Sequence, residues 1–181
     1  TLLASSAASD VYKRQHDRLT QSDIDKMKEE IEYRKLVVRK NAIEAVKEAR
    51  AQGDLSENFE YYVAKKDKNQ NESRIRYLEN MIKTAILVSD ESAEDQVGLN
   101  KRVTVYFEED DETEEYKIVT AVRGNSLKGL ITADSPLGSA LMGHRAGERV
   151  HVKINEHAGY DVIIRKIENT GEEETDELRK F

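Results

Sequence analysis

Two long stripes of helical period, separated by one glycine, constrain this chain more than any other feature. From residue 20 to 52, Ile24, Met27, Ile31, Val38, Ala42, Ala45 and Ala49 recur at steps that suit one helix face, with a polar gap at Arg34 and Lys35. Thr20, Ser22 or Asp23 can supply the N-cap oxygen, and Gly53 is a plausible stop. A second helix is predicted from about Leu55 to Ile86, with its seam at Tyr61, Ala64, Ile75, Leu78, Ile82 and Ala85. Between those positions "KKDKNQNESR" has almost nothing apolar. Both stripes are too narrow for the interior of a large domain. They suit an antiparallel coiled-coil hairpin with Gly53 at its turn. Roughly 30 residues per helix give a rod of about 45 Å, firmest where Ile24, Met27 and Ile31 meet Leu78, Ile82 and Ala85.

The remainder of the chain has a different period. "SDESAEDQVGLN" is polar and acidic and is predicted as a linker over 89–98. Beyond it apolar residues alternate. Val103, Val105 and Phe107 share one strand face, and "EEDDETEE" is too charged for anything but a turn. Tyr116, Ile118 and Thr120 begin a return strand, followed by "GLITA". "DSPLGSALMG" suits a short helix with Ser135 as cap, Pro136 in its first turn and Gly143 beyond its end. "ERVHVKI" and "YDVIIRKIE" flank an "NEHAG" turn as a closing hairpin. The order β-β-β-α-β-β predicts a small antiparallel sheet with one helix, which makes the whole chain α+β. The predicted organisation is a leader outside the fold over 1–18, the hairpin over 19–88, the linker over 89–98, the sheet domain over 99–168 and a solvated acidic tail over 169–181. The leader has no initial Met and lacks the basic-then-apolar order of a secretory signal.

Composition narrows the classes of function. Hydrophobic residues are 38% of the chain and charged residues 36%. No run approaches the ~20 apolar residues of a membrane helix, so a soluble protein without a membrane partner is expected. The absence of cysteine excludes disulfides, zinc–thiolate sites and thiol chemistry, and fits a cytoplasmic location. From Thr20 to Val88 there are 14 Lys and Arg against 13 Asp and Glu, and from Ser89 to Phe181 12 against 21. A nucleic-acid contact would therefore have to use basic clusters of the first half.

The hairpin turn, "GDLSENFEY", carries the main candidate chemistry. Asp54 and Glu57 have the D-x-x-E spacing of a reciprocal helix cap, which by itself could account for both. Glu60, one turn further on, is not needed for a cap. Carboxylates aligned at a helix start can instead bind a hard cation such as Mg²⁺ through oxygen. Two of them at the end of a hairpin form an incomplete site that needs ligands from a partner. Arg39 and Lys40 on the first helix, with Lys65, Lys66 and Lys68 on the second, form either a solvated charged face or a rail for a phosphate backbone. Tyr61 and Tyr62 suit packing near the turn better than base stacking. His16, His144, His151 and His157 have no ligand-like spacing, and His151 is expected on the solvent face of a strand. No nucleophile–base arrangement stands out.

At this point "EARAQGDLSENFEY" resembles the tip signature of the bacterial Gre transcript-cleavage factors, of the pattern E-A-R-x-x-G-D-L-x-E-N-x-E-Y. "RIRYLENMIKTAILV" is similar to the end of that family's second helix, and "SPLGSALMGHRAGERVHV" to its S-P-x-x-x-A-L-x-G-x-x-x-G-D-x-V segment. The resemblance spans about residues 19–168, and the acidic balance suits the GreA type. It implies a coiled-coil hairpin followed by an FKBP-like domain, in a transcription elongation factor that is not itself an enzyme. Such a factor, here expected to be monomeric, enters the secondary channel of a backtracked bacterial RNA polymerase and stimulates cleavage of the nascent RNA 3′ end. The resemblance places the tip acids at Asp54 and Glu57, which help hold Mg²⁺ and water in the polymerase's site. Glu60 and Asn58 support them, and the factor has no cofactor of its own. Arg50, with Arg39, Lys40, Lys65 and Lys66, would contact RNA or polymerase, and the segment from Ser135 to Gly147 would dock the C-terminal domain. The alternatives are a Gre-like channel binder that inhibits the polymerase and a coiled-coil scaffold or chaperone-like protein. "KNAIEAV" lacks a proline that many relatives carry, which implies a straighter first helix.

Overall fold

The computed structural model describes residues 17–53, 58–171 and 177–178. They form two compact units, one containing residues 24–86 and the other residues 18–23 together with 87 onward. Among the described residues no helix is long and apolar enough to cross a membrane.

A short strand, β1 (Arg18–Leu19), comes first. Among the described residues regular structure thus begins at Arg18, inside the stretch predicted to lie outside the domains. Thr20 is the cap of α1 (Gln21–Tyr33). Its Oγ1 accepts the Asp23 N–H at 3.2 Å, and its own N–H donates to Asp23 Oδ2 at 3.0 Å. That is a reciprocal capping box. The helical path then passes through a π-helical segment, Arg34–Val38, into α2 (Arg39–Ala51). The sequence predicts a single helix here, and the path is continuous, but its bonding register changes. The Arg39 N–H donates to Arg34 O, five residues back. Downstream, Val46 is half-buried and Ala45 exposed, in line with the extra residue that a π turn takes up.

Helix α3 (Phe59–Thr84) is capped by Asn58 and begins four residues later than predicted. It ends at Thr84, because Ile86 and Leu87 form the strand β2 (Ile86–Leu87). The Val88 N–H donates to Leu19 O at 2.9 Å. Met27, Ala49, Ile75, Leu78 and Met81 are buried in the hairpin unit.

In the second unit the predicted element order holds: β3 (Lys101–Phe107), β4 (Glu112–Val119), β5 (Leu130–Thr132), α4 (Pro136–Leu141), β6 (Arg149–Lys153) and β7 (Gly159–Asn169). The sheet runs β5-β4-β3-β7-β6. Its pairs are antiparallel except β4 with β5, which is parallel and corrects the all-antiparallel expectation. Two 3₁₀ turns, Ala121–Arg123 and Ser126–Lys128, occupy the β4–β5 connection. They carry the chain back to Lys117, so that β5 runs alongside the last residues of β4 in the same direction, where a tight hairpin would have reversed it. Gly129 closes the second turn at φ 69°.

Val103, Val105, Ile118, Leu141, Val150, Val152, Val162 and Ile164 make the core, and Val97 belongs with them. Residues 89–98 are therefore not linker throughout. Val97 is fully buried, its N–H donates to His144 O at 2.9 Å, and its carbonyl accepts from Gly143 N–H at 2.9 Å. Lys101 Nζ binds the carbonyls of Ala93 and Gln96 at 2.5 and 2.9 Å. The predicted tail also starts late, since β7 runs to Asn169 and Thr170 Oγ1 donates to Asn100 O at 3.0 Å.

Asp23 has a second task. It is fully buried, and the Arg123 guanidinium, 2% exposed, pairs with its Oδ1. Thr120 Oγ1 donates to Asp23 Oδ2 at 2.8 Å, and Arg123 Nη2 reaches Ser22 Oγ at 3.1 Å. This is why residues 18–23 pack with the second unit, although the sequence places 19–88 in one hairpin domain. Removing one member of a buried ion pair is far costlier than replacing both. Asp23→Ala should destabilise this unit by about 3–5 kcal/mol in urea denaturation, and Asp23→Leu combined with Arg123→Met should recover most of the loss.

Candidate functional site

The hairpin has to be described before its turn, because it decides which charges remain available. Asn71 and Arg74 are buried in the seam, where the sequence showed only a polar gap. Arg34 Nη1 donates to Asn71 Oδ1 at 3.1 Å, and Asn71 Nδ2 donates to Arg34 O at 3.4 Å. The amide thus meets the carbonyl that takes part in the π-type bond. Glu30 receives Arg34 Nε at 2.7 Å, Arg74 Nε at 2.9 Å and Arg74 Nη2 at 3.1 Å. Arg39 forks onto Glu72 at 2.7 and 2.8 Å, and Lys35 meets Glu79 at 2.5 Å. Pairings from 30 with 74 to 39 with 72 show two antiparallel helices closed by charge where apolar residues are missing. These partners were missed in the sequence. The one available signal was Asn71, which falls on the 64, 68, 71, 75, 78 spacing of the seam.

At the turn, α2 ends at Ala51, and Gly53 takes φ 149°, on the positive side that glycine tolerates. Asn58 closes the other side. Its Oδ1 accepts the Tyr61 N–H at 3.0 Å, and its Nδ2 donates to Ala49 O at 2.5 Å. One side chain therefore caps α3 and joins it to the last turn of α2. This is a structural use for a residue that the resemblance offered as a support for the tip acids. Asp54 and Glu57 lie outside the described residues. What the described residues do show is that the cap of α3 is Asn58.

The other predicted site residues are spread around this turn. Glu60 is exposed in the first turn of α3, where the helix dipole favours an acid. The Arg50 guanidinium lies 5.6 Å from the Tyr61 ring centroid, and Lys65 Nζ lies 5.9 Å from it. A hydrogen bond from Arg50, aided by the charges of Lys65 and Lys68, holds the Tyr61 hydroxyl below its usual pKa despite some desolvation. Tyr61 is thus occupied within the hairpin. Lys40, Lys65 and Lys66 are exposed, whereas Arg39 is engaged by Glu72. Among the described residues no group of three or more His, Asp or Glu could hold a metal.

The second sequence motif has a different character. Ser135 caps α4, with its Oγ accepting Gly138 N–H at 3.1 Å and donating to Thr132 O at 2.7 Å. A Cβ on Gly138 would lie 2.0 Å from Thr132 O, and Leu141 is fully buried. Gly143 and Gly147 take φ 79° and 90°. The conformational needs of the sheet domain account for these residues of "SPLGSALMGHRAG". They do not account for the acids of the turn.

A charge-zipped helical hairpin with an acidic turn, and a separate mixed-sheet domain, define a two-part accessory factor of transcription once known proteins are compared. Residues 18–86 match the family model described as "Transcription elongation factor, N-terminal", and residues 91–169 match "Transcription elongation factor, GreA/GreB, C-term". The chain belongs to the GreA/GreB family of transcription elongation factors. It is 42% identical over 136 residues to transcription elongation factor GreA of Geobacillus kaustophilus, covering 75% of this chain and 86% of the relative. GreA of Mesoplasma florum is 39% identical over 150 residues, covering 82% and 96%. The solved structure of the transcription factor Gfh1 aligns with TM-score 0.42 at 22% identity, covering 84% of this chain and 97% of that one.

Two outcomes follow for the hairpin. Burial raises the pKa of Glu30, but hydrogen bonds and charge from Arg74 and Arg34 outweigh it and hold the carboxyl below its ordinary 4.5. A carboxyl depressed on folding contributes stability above its unfolded pKa and loses it as pH falls through the folded value. Helix content followed by circular dichroism should therefore begin to lose this contribution below about pH 4.5, and Glu30→Gln should flatten that part of the acid profile. Asn58→Ala removes the cap, at a cost of about 1 kcal/mol. Faster amide exchange at Tyr61, with exchange in the middle of α3 unchanged, is the expected sign.

Proposed function

We propose that this chain stimulates endonucleolytic cleavage of the nascent RNA 3′ end by a backtracked bacterial RNA polymerase, and that Asp54 and Glu57 act inside the polymerase's own active site. Membership of the GreA/GreB family and the tip signature support this reading. The single observation that carries it is the Asn58 cap. Asn58 caps α3 through the Tyr61 N–H and ties it to Ala49 O, so a residue other than Asp54 and Glu57 serves as the cap of that helix.

The donor set fits Mg²⁺, which takes carboxylate oxygens and completes its shell from water and phosphate. When bound, the ion supplies an acidified water and steadies the leaving oxygen of a phosphodiester. On this reading Asp54 and Glu57 orient the ion and water, while Glu60 adds negative charge one turn away. Arg50, Lys40, Lys65 and Lys66 attract the RNA backbone or the channel wall. Arg39 contributes only if it exchanges Glu72 for a phosphate. The polymerase performs the hydrolysis, in the cytoplasm, and the factor lends groups to it. The sheet domain docks on the channel rim near Ser135 to Gly147.

Asp54→Ala combined with Glu57→Ala should abolish stimulated cleavage in a stalled elongation complex, with polymerase affinity and helix content nearly unchanged. Retained cleavage by this variant would remove the tip from the mechanism. Slowed elongation by the unaltered factor, without cleavage, would favour an inhibitory channel binder.

A further inference from the structure

The second unit holds a cavity of about 600 Å³ that two distant parts of the chain line together. Leu127, Leu130, Ile131 and Ser135 come from the β4–β5 connection, from β5 and from the cap of α4, and Glu177 and Leu178 come from the tail. Leu127 is 97% exposed in its 3₁₀ turn, and Leu178 is half-buried. The tail is otherwise polar. From Thr170 to Lys180 Leu178 is the single large apolar residue, and it lines the cavity. Terminal residues stay beside a domain only where something ties them down. A lone leucine in an acidic stretch is the group that gains most from leaving water. Charge favours the same placement, because Lys128 lines the cavity with Glu177 and both are exposed. Arg123 also lines it, but its guanidinium is engaged with Asp23 and Ser22. The hold on the tail is weak by construction. Open space remains beside Leu178, so the leucine lacks packing partners on that side. A segment held in this way is displaceable.

We propose that Glu177 and Leu178 make an autoinhibitory contact: the tail covers the β4–β5 connection and the start of α4, and polymerase must displace it to dock there. This rests on the proposed function, in which Ser135 opens the segment that meets the channel rim. Ser135 and Leu178 line the same cavity, so the tail and a docking partner contend for one place. The tail then sets how readily the factor binds and leaves the chemistry at the hairpin turn untouched.

The test uses the full chain. It has no cysteine, so Arg179→Cys can carry a single nitroxide next to Leu178 in the sequence. Paramagnetic broadening should reach the amide signals of 124–132, and adding Leu178→Asp should remove most of it. In a stalled elongation complex, Leu178→Asp without the label should bind polymerase about fivefold more tightly, the release of one half-buried leucine. Cleavage at saturating factor should be unchanged. If the label leaves 124–132 sharp, the tail does not rest there and the proposal falls. Broadening with equal polymerase affinity of both chains would show a tail that competes with nothing, and would overturn the autoinhibition. Affinity is read without hydrolysis. Tighter binding by Leu178→Asp, with no stimulated cleavage by either chain, would therefore sink the proposed function and leave the autoinhibitory contact standing.

Discussion

Two long helices with too few apolar residues between them must still hold together, and the hairpin depends on how that is done. Along its middle the seam consists of Glu30, Arg34, Asn71 and Arg74, with Arg39–Glu72 and Lys35–Glu79 at its edges. Such a seam adds less stability than leucines would, because each charge gives up water to enter it. It is more demanding in register, since Arg74 and Arg34 must both find Glu30, and Asn71 must find Arg34. A buried Asn in a helical seam is the best-attested device for fixing register. On the proposed function the turn is the working part, and a seam that cannot slip then matters more than one that is merely sticky.

The same economy of polar groups recurs at both ends of the hairpin sequence. Asn58 serves at once as helix cap and as tie between α2 and α3. Asp23 completes the capping box of α1 and pairs with Arg123 from the β4–β5 connection. Each is a short polar residue at a helix start, where orphan N–H groups create a demand. Asp23 is visible in the sequence as a cap candidate and invisible in its second role, whereas the resemblance offers Asn58 as a support for the tip acids and not as a cap. Caps are local and follow sequence spacing, whereas the partners of Asp23 lie about a hundred residues away.

The two motifs that identified the family divide cleanly by what explains them. "SPLGSALMGHRAG" is conformational: a cap, a close approach at Gly138, a buried Leu141 and two positive-φ glycines. The turn motif is explained by the fold only in part, through Gly53 and Asn58. Asp54 and Glu57 of that motif lie outside the described residues, and Glu60 is exposed, as are Phe59, Tyr62 and Val63.

By itself the sequence determined the period of every long element. It placed a helical pair before an alternating sheet, ordered the elements of that sheet, and put glycine and acids at the hairpin turn. Those features follow from spacing within a few residues, which an unfolded chain already contains. Tertiary structure decided the rest. It buried Val97 from a segment that looks like linker, and it turned β5 parallel to β4 through two 3₁₀ turns. It gave Asp23 to the second unit, shifted the first helix through a π segment, and filled a polar gap with ion pairs. In each case the deciding partner is remote in the chain, and a polar residue shows what it will bury against only when that partner arrives.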